Sequence, residues 1–192
     1  GWSAPHNLGA PVNSALPEYF PSLTRDGTIY FTREEGGSRA SSIWRARRAE
    51  AGYLEPEKLP AQVNSGRSQF NDFVAPDESY LIVPVEGRSD SLGGCDYYVV
   101  FREPDDRWSE PINLGPEVNT AGSQELSPYV SPDGKYFFFM SSRLARPDRL
   151  TYRGLRELQD RPGNGNADIY WVDAELVTSL RARAVFAPQP KR

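Results

Sequence analysis

Two carboxylates, Glu18 and Glu125, are the groups in this chain best suited to acid–base chemistry. A pair of acids flanking a glycosidic bond is sufficient for hydrolysis, one donating the proton and the other activating water or attacking the sugar. A carboxamide, Gln69, lies between them in sequence, and Asn71 and Ser127 stand two residues beyond Gln69 and Glu125. Arg67 and Arg143 add two cations that can pair with these acids or hold an anionic ligand. The polar set Glu18, Gln69, Asn71, Glu125, Arg67 and Arg143 is therefore the expected ligand-binding group.

Other chemistries lack their parts. His6 is the sole histidine and there is no Gly-x-Ser-x-Gly elbow, so a Ser-His-Asp triad is not expected. Cys95 is a lone cysteine, read as a small buried hydrophobe rather than half of a disulfide. No His/Cys cluster has metal-ligand spacing, and no Gly-rich loop cradles a phosphate. The stretch "NGNAD" (164–168) places three oxygen-bearing side chains at i, i+2 and i+4. It lacks the glycine and distal glutamate of an EF-hand, and an Asn-Gly turn is expected there. No catalytic residue, metal or cofactor is assigned.

The elements that must position these residues come from a repeat. "WSEPINLGPEVNT" (108–120) restates "WSAPHNLGAPVNS" (2–14) with eight of thirteen positions identical, and "YLEPEKLPAQVNS" (53–65) is a third copy. The register continues downstream, superposing Asp26, Asp77 and Asp133, then Asp96 and Asp168 ahead of aromatic segments. These five aspartates read as structural, the first three in tight turns and the last two hydrogen-bonding neighbouring loops. The chain divides into units of about 2–52, 53–107 and 108–173, followed by a short helix over 174–183 and a tail to 192, all within a single domain.

Each unit reads as four short strands. The first ends in an Asp-Gly type turn. The second is apolar on both faces (28–32, 80–83 and 136–140), which predicts burial from both sides. The third is aromatic, and the fourth is the Pro-containing phrase, suited only to an edge. Pro84 aligns with Arg33 and Met140 and is placed at the end of the second strand. The predicted fold class is all-β, a β-propeller of four-stranded antiparallel blades with three blades in this chain.

The bulk numbers agree. Aromatics make up 12% of the residues, with 16 Gly and 17 Pro, a mix that favours strands and turns. Lys and Arg number 22 against 26 Asp and Glu, for a net charge of −4. Apart from "RARR" (45–48) and "RAR" (181–183) the charges are mixed, so no nucleic-acid partner is expected. No apolar run reaches the roughly 18 residues of a membrane-spanning helix. The chain begins with Gly rather than Met, so a trimmed start is expected and the lack of a leader says little about compartment.

"SPDGKYFFFMSSR" (131–143) with "DIYWVD" (168–173) resembles the PD40, or TolB-like (WD40-like), β-propeller repeat, and "WSEPINLGPEVNT" resembles its inter-blade segment. The second and first units depart from it with "APDES" and "TRDG" in place of the Pro-Asp-Gly turn. The resemblance implies six-bladed rings acting as binding or scaffolding modules in the periplasm or on the cell surface, without a catalytic role. Three blades are half a ring. Either further N-terminal blades complete it, or two chains associate, since the phrase at 2–14 is a spare outer strand and the last blade lacks one. Two other functions stay open: a gating propeller belonging to a larger peptidase, and the carboxylate glycosidase.

Binding is expected on the side carrying the long loops 34–42, 86–94 and 142–167, through a protein partner or a small polar ligand. The 142–167 insertion is predicted to hold a helix over 148–160 with Asp148 at its N-cap.

Overall fold

The computed structural model describes residues 1–36, 40–146 and 151–188. Over the described residues the chain is all-β, built from antiparallel sheets, none closed on itself, with two short α-helices. In the first unit β1 (Glu18–Leu23), β2 (Ile29–Glu34) and β3 (Ser41–Ala46) pair in sequence order. A small hairpin of β4 (Arg48–Ala49) and β5 (Gly52–Tyr53) follows, and β6 (Glu57–Lys58) completes the sheet in the order β1-β2-β3-β6.

The second unit repeats the plan with a broken inner strand. β7 (Ser68–Gln69) and β8 (Phe73–Val74) both pair with β9 (Tyr80–Glu86), which pairs with β10 (Cys95–Phe101), and β11 (Ile112–Asn113) forms the outer edge. In the third unit β12 (Glu125–Val130) and β13 (Tyr136–Ser141) are followed by α1 (Tyr152–Gln159) and then β14 (Asp168–Asp173). The third sheet is β12-β13-β14 and ends there. Finally α2 (Glu175–Ser179) continues into a 3-10 turn, Leu180–Arg183, where the sequence predicts a short helix.

Alternation along the strands dictates how the sheets stack. Tyr30 and Ile43 of the first sheet meet Leu81, Val83, Tyr98 and Val100 of the second in one buried cluster. On the other face of the second sheet, Ile82, Tyr97, Val99 and Phe101 meet Phe137 and Phe139 of the third. Tyr97 stands edge-on to both phenylalanines, with ring centroids 5.7 and 6.1 Å away. Such pairs add about 0.5–1.5 kcal/mol each beyond the area they bury. All seven residues of β10 are buried, as a strand covered on both faces must be. Val177 of α2 and Phe186 seal the lower edge of the cluster between the second and third sheets, and Glu110 N–H donates to Val185 C=O.

The inner strands share one irregularity. Phe20, Asn71 and Ser127 all have φ between 52° and 58°, two residues beyond Glu18, Gln69 and Glu125 respectively. Register shifts mark the bulge between Tyr19 and Ser22 and between Leu126 and Tyr129, and in the second sheet it separates β7 from β8. A bulge of this kind bends the strand and re-aims its side chains.

Four sequence-based expectations change. Pro84 lies inside β9, opposite Tyr97, in register with Thr32 opposite Ile43 and Met140 opposite Ile169. It is tolerated because Tyr97 N–H turns outward to Asn119 and the missing proline donor faces the strand break beside Asn71, where the Pro84 C=O still accepts from Phe70 N–H at 3.4 Å. The fourth strands are only two residues long, and residues 1–14 contain none. A strand needs a partner for its backbone groups, and here the 2–14 phrase has none. The insertion helix starts later than expected, capped by Thr151, whose Oγ1 accepts from Gly154 N–H at 3.0 Å. Asp148, the expected cap, lies outside the described residues.

The turn departures keep their geometry. Gly27 and Gly134 take φ of 88° and 72°, and Glu78 holds φ 58° in the "APDES" turn. Its carboxylate is fixed by Tyr30 OH at 2.9 Å and Arg102 at 3.1 Å. Asp26, Asp77 and Asp133 each accept from the backbone two residues on, at 3.1, 3.1 and 3.2 Å.

Candidate functional site at the inner-strand ends

Glu18, Gln69 and Glu125 occupy one place in the three sheets, at the start of each inner strand. Their partners differ. Glu18 accepts from Arg33 Nε at 2.8 Å and Ser14 Oγ at 2.5 Å, and Arg33 reaches on to Val12 C=O at 3.0 Å. Gln69 is buried, donating to Ser41 C=O at 3.2 Å and accepting from Gly66 N–H at 2.5 Å. Gly66 has to be glycine, because a Cβ there would lie 2.3 Å from Glu86 C=O.

Glu125 is buried, and among the described residues no Lys or Arg forms an ion pair with its carboxylate. Its Oε1 accepts from Ser123, from Thr120 at 3.1 Å and from Ser141 at 2.9 Å, while Oε2 has no partner among the described residues. Burial pushes its carboxyl above the usual range, against the pull of those hydroxyls. Ser141 occupies the register position that Arg33 holds opposite Glu18. Arg143 turns away instead. Its guanidinium lies 4.4 Å from the Tyr170 ring centroid, donates to Val118 C=O at 2.7 Å and touches Ser141 Oγ at 3.1 Å. Arg67 is mostly exposed and pairs with Glu86 at 3.1 Å. Neither arginine meets the acids of the polar set.

Asn71 is fixed by its backbone N–H to Thr32 Oγ1 at 2.9 Å, and its Nδ2 stands 3.4 Å from Ser127 Oγ on the neighbouring inner strand. Directly after it comes Asp72, a residue that sequence reasoning missed. It is fully buried, and among the described residues neither carboxylate oxygen has a hydrogen-bond partner. Burial pushes its carboxyl up to about 8, so it carries its proton at neutral pH. The signal was available: Asp72 stands where the other units have Pro21 and Pro128. A groove of about 430 Å³ runs between the inner strands here, lined by Phe20, Pro21, Asp72, Ser127, Pro128 and Tyr129. Chemically it offers the Asp72 carboxyl and aromatic or proline walls, and Glu125 is not among its lining residues.

The remaining expected residues serve the loops. Asp96 accepts from Leu92 N–H, Gly93 N–H and Asn113 Nδ2, at 2.6, 2.9 and 2.9 Å, and Asp168 accepts from Gly163 N–H at 2.9 Å. In "NGNAD", Asn164 Oδ1 accepts from Asn166 N–H, closing a turn around Gly165. Among the described residues no group of three His, Cys, Asp or Glu side chains could hold a metal. No described helix is long and apolar enough to cross a membrane. Cys95 is buried, with its thiol pushed well up by burial. No protein-family model matches the chain, and no curated protein matches it in sequence.

Proposed function

We propose that the chain is a non-catalytic binding module of three propeller blades, holding a small polar ligand or a protein partner at the inner-strand ends. The observation that carries this reading is the unpartnered buried polar atoms on neighbouring inner strands, Asp72 beside the groove and Oε2 of Glu125. Buried polar groups without partners are rare in folded proteins, and a ligand that completes them gains the hydrogen bonds without further desolvation of the protein. The blade assignment is supported by three consecutive antiparallel sheets stacked face to face, each with its bulge at the same inner position. Glu18 supports the non-catalytic reading, since its Oε1 is already taken by Arg33 and Ser14 and is poorly placed to attack. A place in the bacterial cell envelope follows from the TolB-like resemblance of 131–143 and 168–173.

The test is an NMR titration of the isotopically labelled chain with neutral oligosaccharides, short peptides and a polyamine. Shift changes concentrated at 69–72 and 125–128 are expected, with affinity falling at least about tenfold in Asp72→Leu and Glu125→Gln. Binding that Glu18→Ala, Glu125→Ala and Asp72→Leu all leave untouched would rule the site out.

A further inference from the structure

The Val-Asn phrase does the same job twice inside the chain. Asn64 Oδ1 accepts from Ile43 N–H at 2.8 Å, while its Nδ2 returns to Ile43 C=O at 3.1 Å. Asn119 grips Tyr97 identically, at 2.8 and 3.0 Å. Leu59 and Leu114 are buried as their phrases lie along β3 and β10, and Val63 and Val118 then cap the face of the next sheet.

A third copy of this device is formed and unused. Asn13 Nδ2 donates to Asn7 Oδ1 at 2.7 Å, as Asn119 does to Asn113 at 2.8 Å. Gly9 N–H and Gly115 N–H play matching parts, donating to Asn7 and Asn113 at 2.7 and 2.8 Å. Asn13 N–H closes onto Gly9 C=O at 2.9 Å, matching Asn119 onto Gly115 at 2.8 Å. Val12 is buried on the outer face of the first sheet with Ile29, Phe31 and Ala46. Yet Asn13 grips no strand, Trp2 is fully exposed and Leu8 is 51% exposed.

The matching acceptor is equally open. Ile169 sits in β14 at the register of Ile43 and Tyr97, both fully buried, but is 80% exposed. Trp171 beside it is 61% exposed on the same face. The chain's own phrase cannot fill this edge, because Val12 anchors it to the first sheet and the second sheet stands between.

We propose that two copies of this chain associate head to tail, each laying its 2–14 segment along the other's β14. The register follows from β10 and β11, where Tyr98 faces Asn113 and Val99 faces Ile112. Asn7 then faces Tyr170 of the second copy, His6 faces Trp171, and Asn13 grips Ile169. Val12 and the outer face of the first sheet close over Ile169 and Trp171. Two such contacts related by a twofold axis make a closed assembly, so the contact does not run on into fibres. The inference rests on the blade reading above.

Light scattering of the 192-residue chain should give twice its 21.5 kDa mass. Asn13→Ala should weaken the dimer at least about tenfold, since both clamps are lost. Ile169→Asp should yield a monomer with unchanged circular dichroism, the residue being exposed in the single chain. The double variant His6→Cys with Trp171→Cys should form an intermolecular disulfide on mild oxidation, as directly opposed strand residues lie within bridging distance. A strict monomer at submillimolar concentration, or a dimer indifferent to both Asn13→Ala and Ile169→Asp, overturns the proposal. If the monomer still binds ligand at 69–72 and 125–128, the binding reading survives that failure.

Discussion

Asn119 directs both ends of its amide at the backbone of Tyr97, in a place where water does not reach. Asn119→Ala would leave a buried N–H and C=O without partners, at a cost of about 2–4 kcal/mol readable by urea denaturation. Asp72 works in the opposite sense. Its folded carboxyl titrates at about 8 against 3.8 for an unperturbed aspartate, so the folded state holds a proton that the unfolded chain releases. Stability should therefore fall as pH rises from about 4 to 8 and level off above. Asp72→Asn should remove that slope and raise stability at pH 7 by on the order of 2–4 kcal/mol, measured by denaturation across pH. The equivalence of Glu18, Gln69 and Glu125 was legible because the repeat keeps their spacing. Their different partners were not, since Ser141 replaces Arg33 only once strand register is known. Asp72 escaped notice because a charged residue in a polar segment looks solvated until the neighbouring strand covers it.

Each inner strand contains a left-handed residue, and only one of the three, Asn71, is of a type that adopts it readily. Ser127 is exposed and its Oγ makes only the 3.4 Å contact to Asn71 Nδ2, so Ser127→Val tests mainly the backbone: a β-branched side chain at φ 58° should cost about 1–2 kcal/mol in thermal unfolding. The strands themselves were legible from apolar runs and Asp-Gly turns. Pro84 was not, because its tolerance depends on a break in the strand beside it. The two-residue outer strands were over-read for a related reason. Side-chain amides of Asn64 and Asn119 replace ladder bonds there, and a hydrophobicity pattern cannot distinguish the two.

Between the first and second sheets the molecule is fastened by charge as well as by packing. Arg45, in the "RARR" stretch, is buried and bonds Asp106 at 2.7 and 2.9 Å, Glu57 at 2.8 Å and Tyr30 OH at 3.3 Å. Burial works against the Asp106 charge, but the hydrogen bonds from Arg45 and Arg102 outweigh it and hold the carboxyl well below the usual range. This contribution is present above about pH 4 and is lost as pH falls toward the folded value. Arg45→Ala should cost about 2–3 kcal/mol, with little relief from salt because the guanidinium is covered. Hydrogen exchange should be slowest in β9 and β10, covered on both faces, and in the monomeric Ile169→Asp variant fastest among the ladder strands in β14. The stacking of whole sheets was legible in the sequence from the two-faced apolar strands. The Arg45 hub was not, since its acids come from positions 57 and 106, and the cluster read only as a basic run.

One consequence follows from the way residues 59–63 and 114–118 each grip the sheet behind and cap the sheet ahead. Such a connector is indifferent to how many units it joins. A gene duplication that adds one more unit leaves every existing junction intact and offers the new unit the same socket and plug. An added unit should therefore cost the existing junctions little stability. What limits the number of units is angular: the rotation between neighbouring sheets decides which total closes a circle and which leaves a gap.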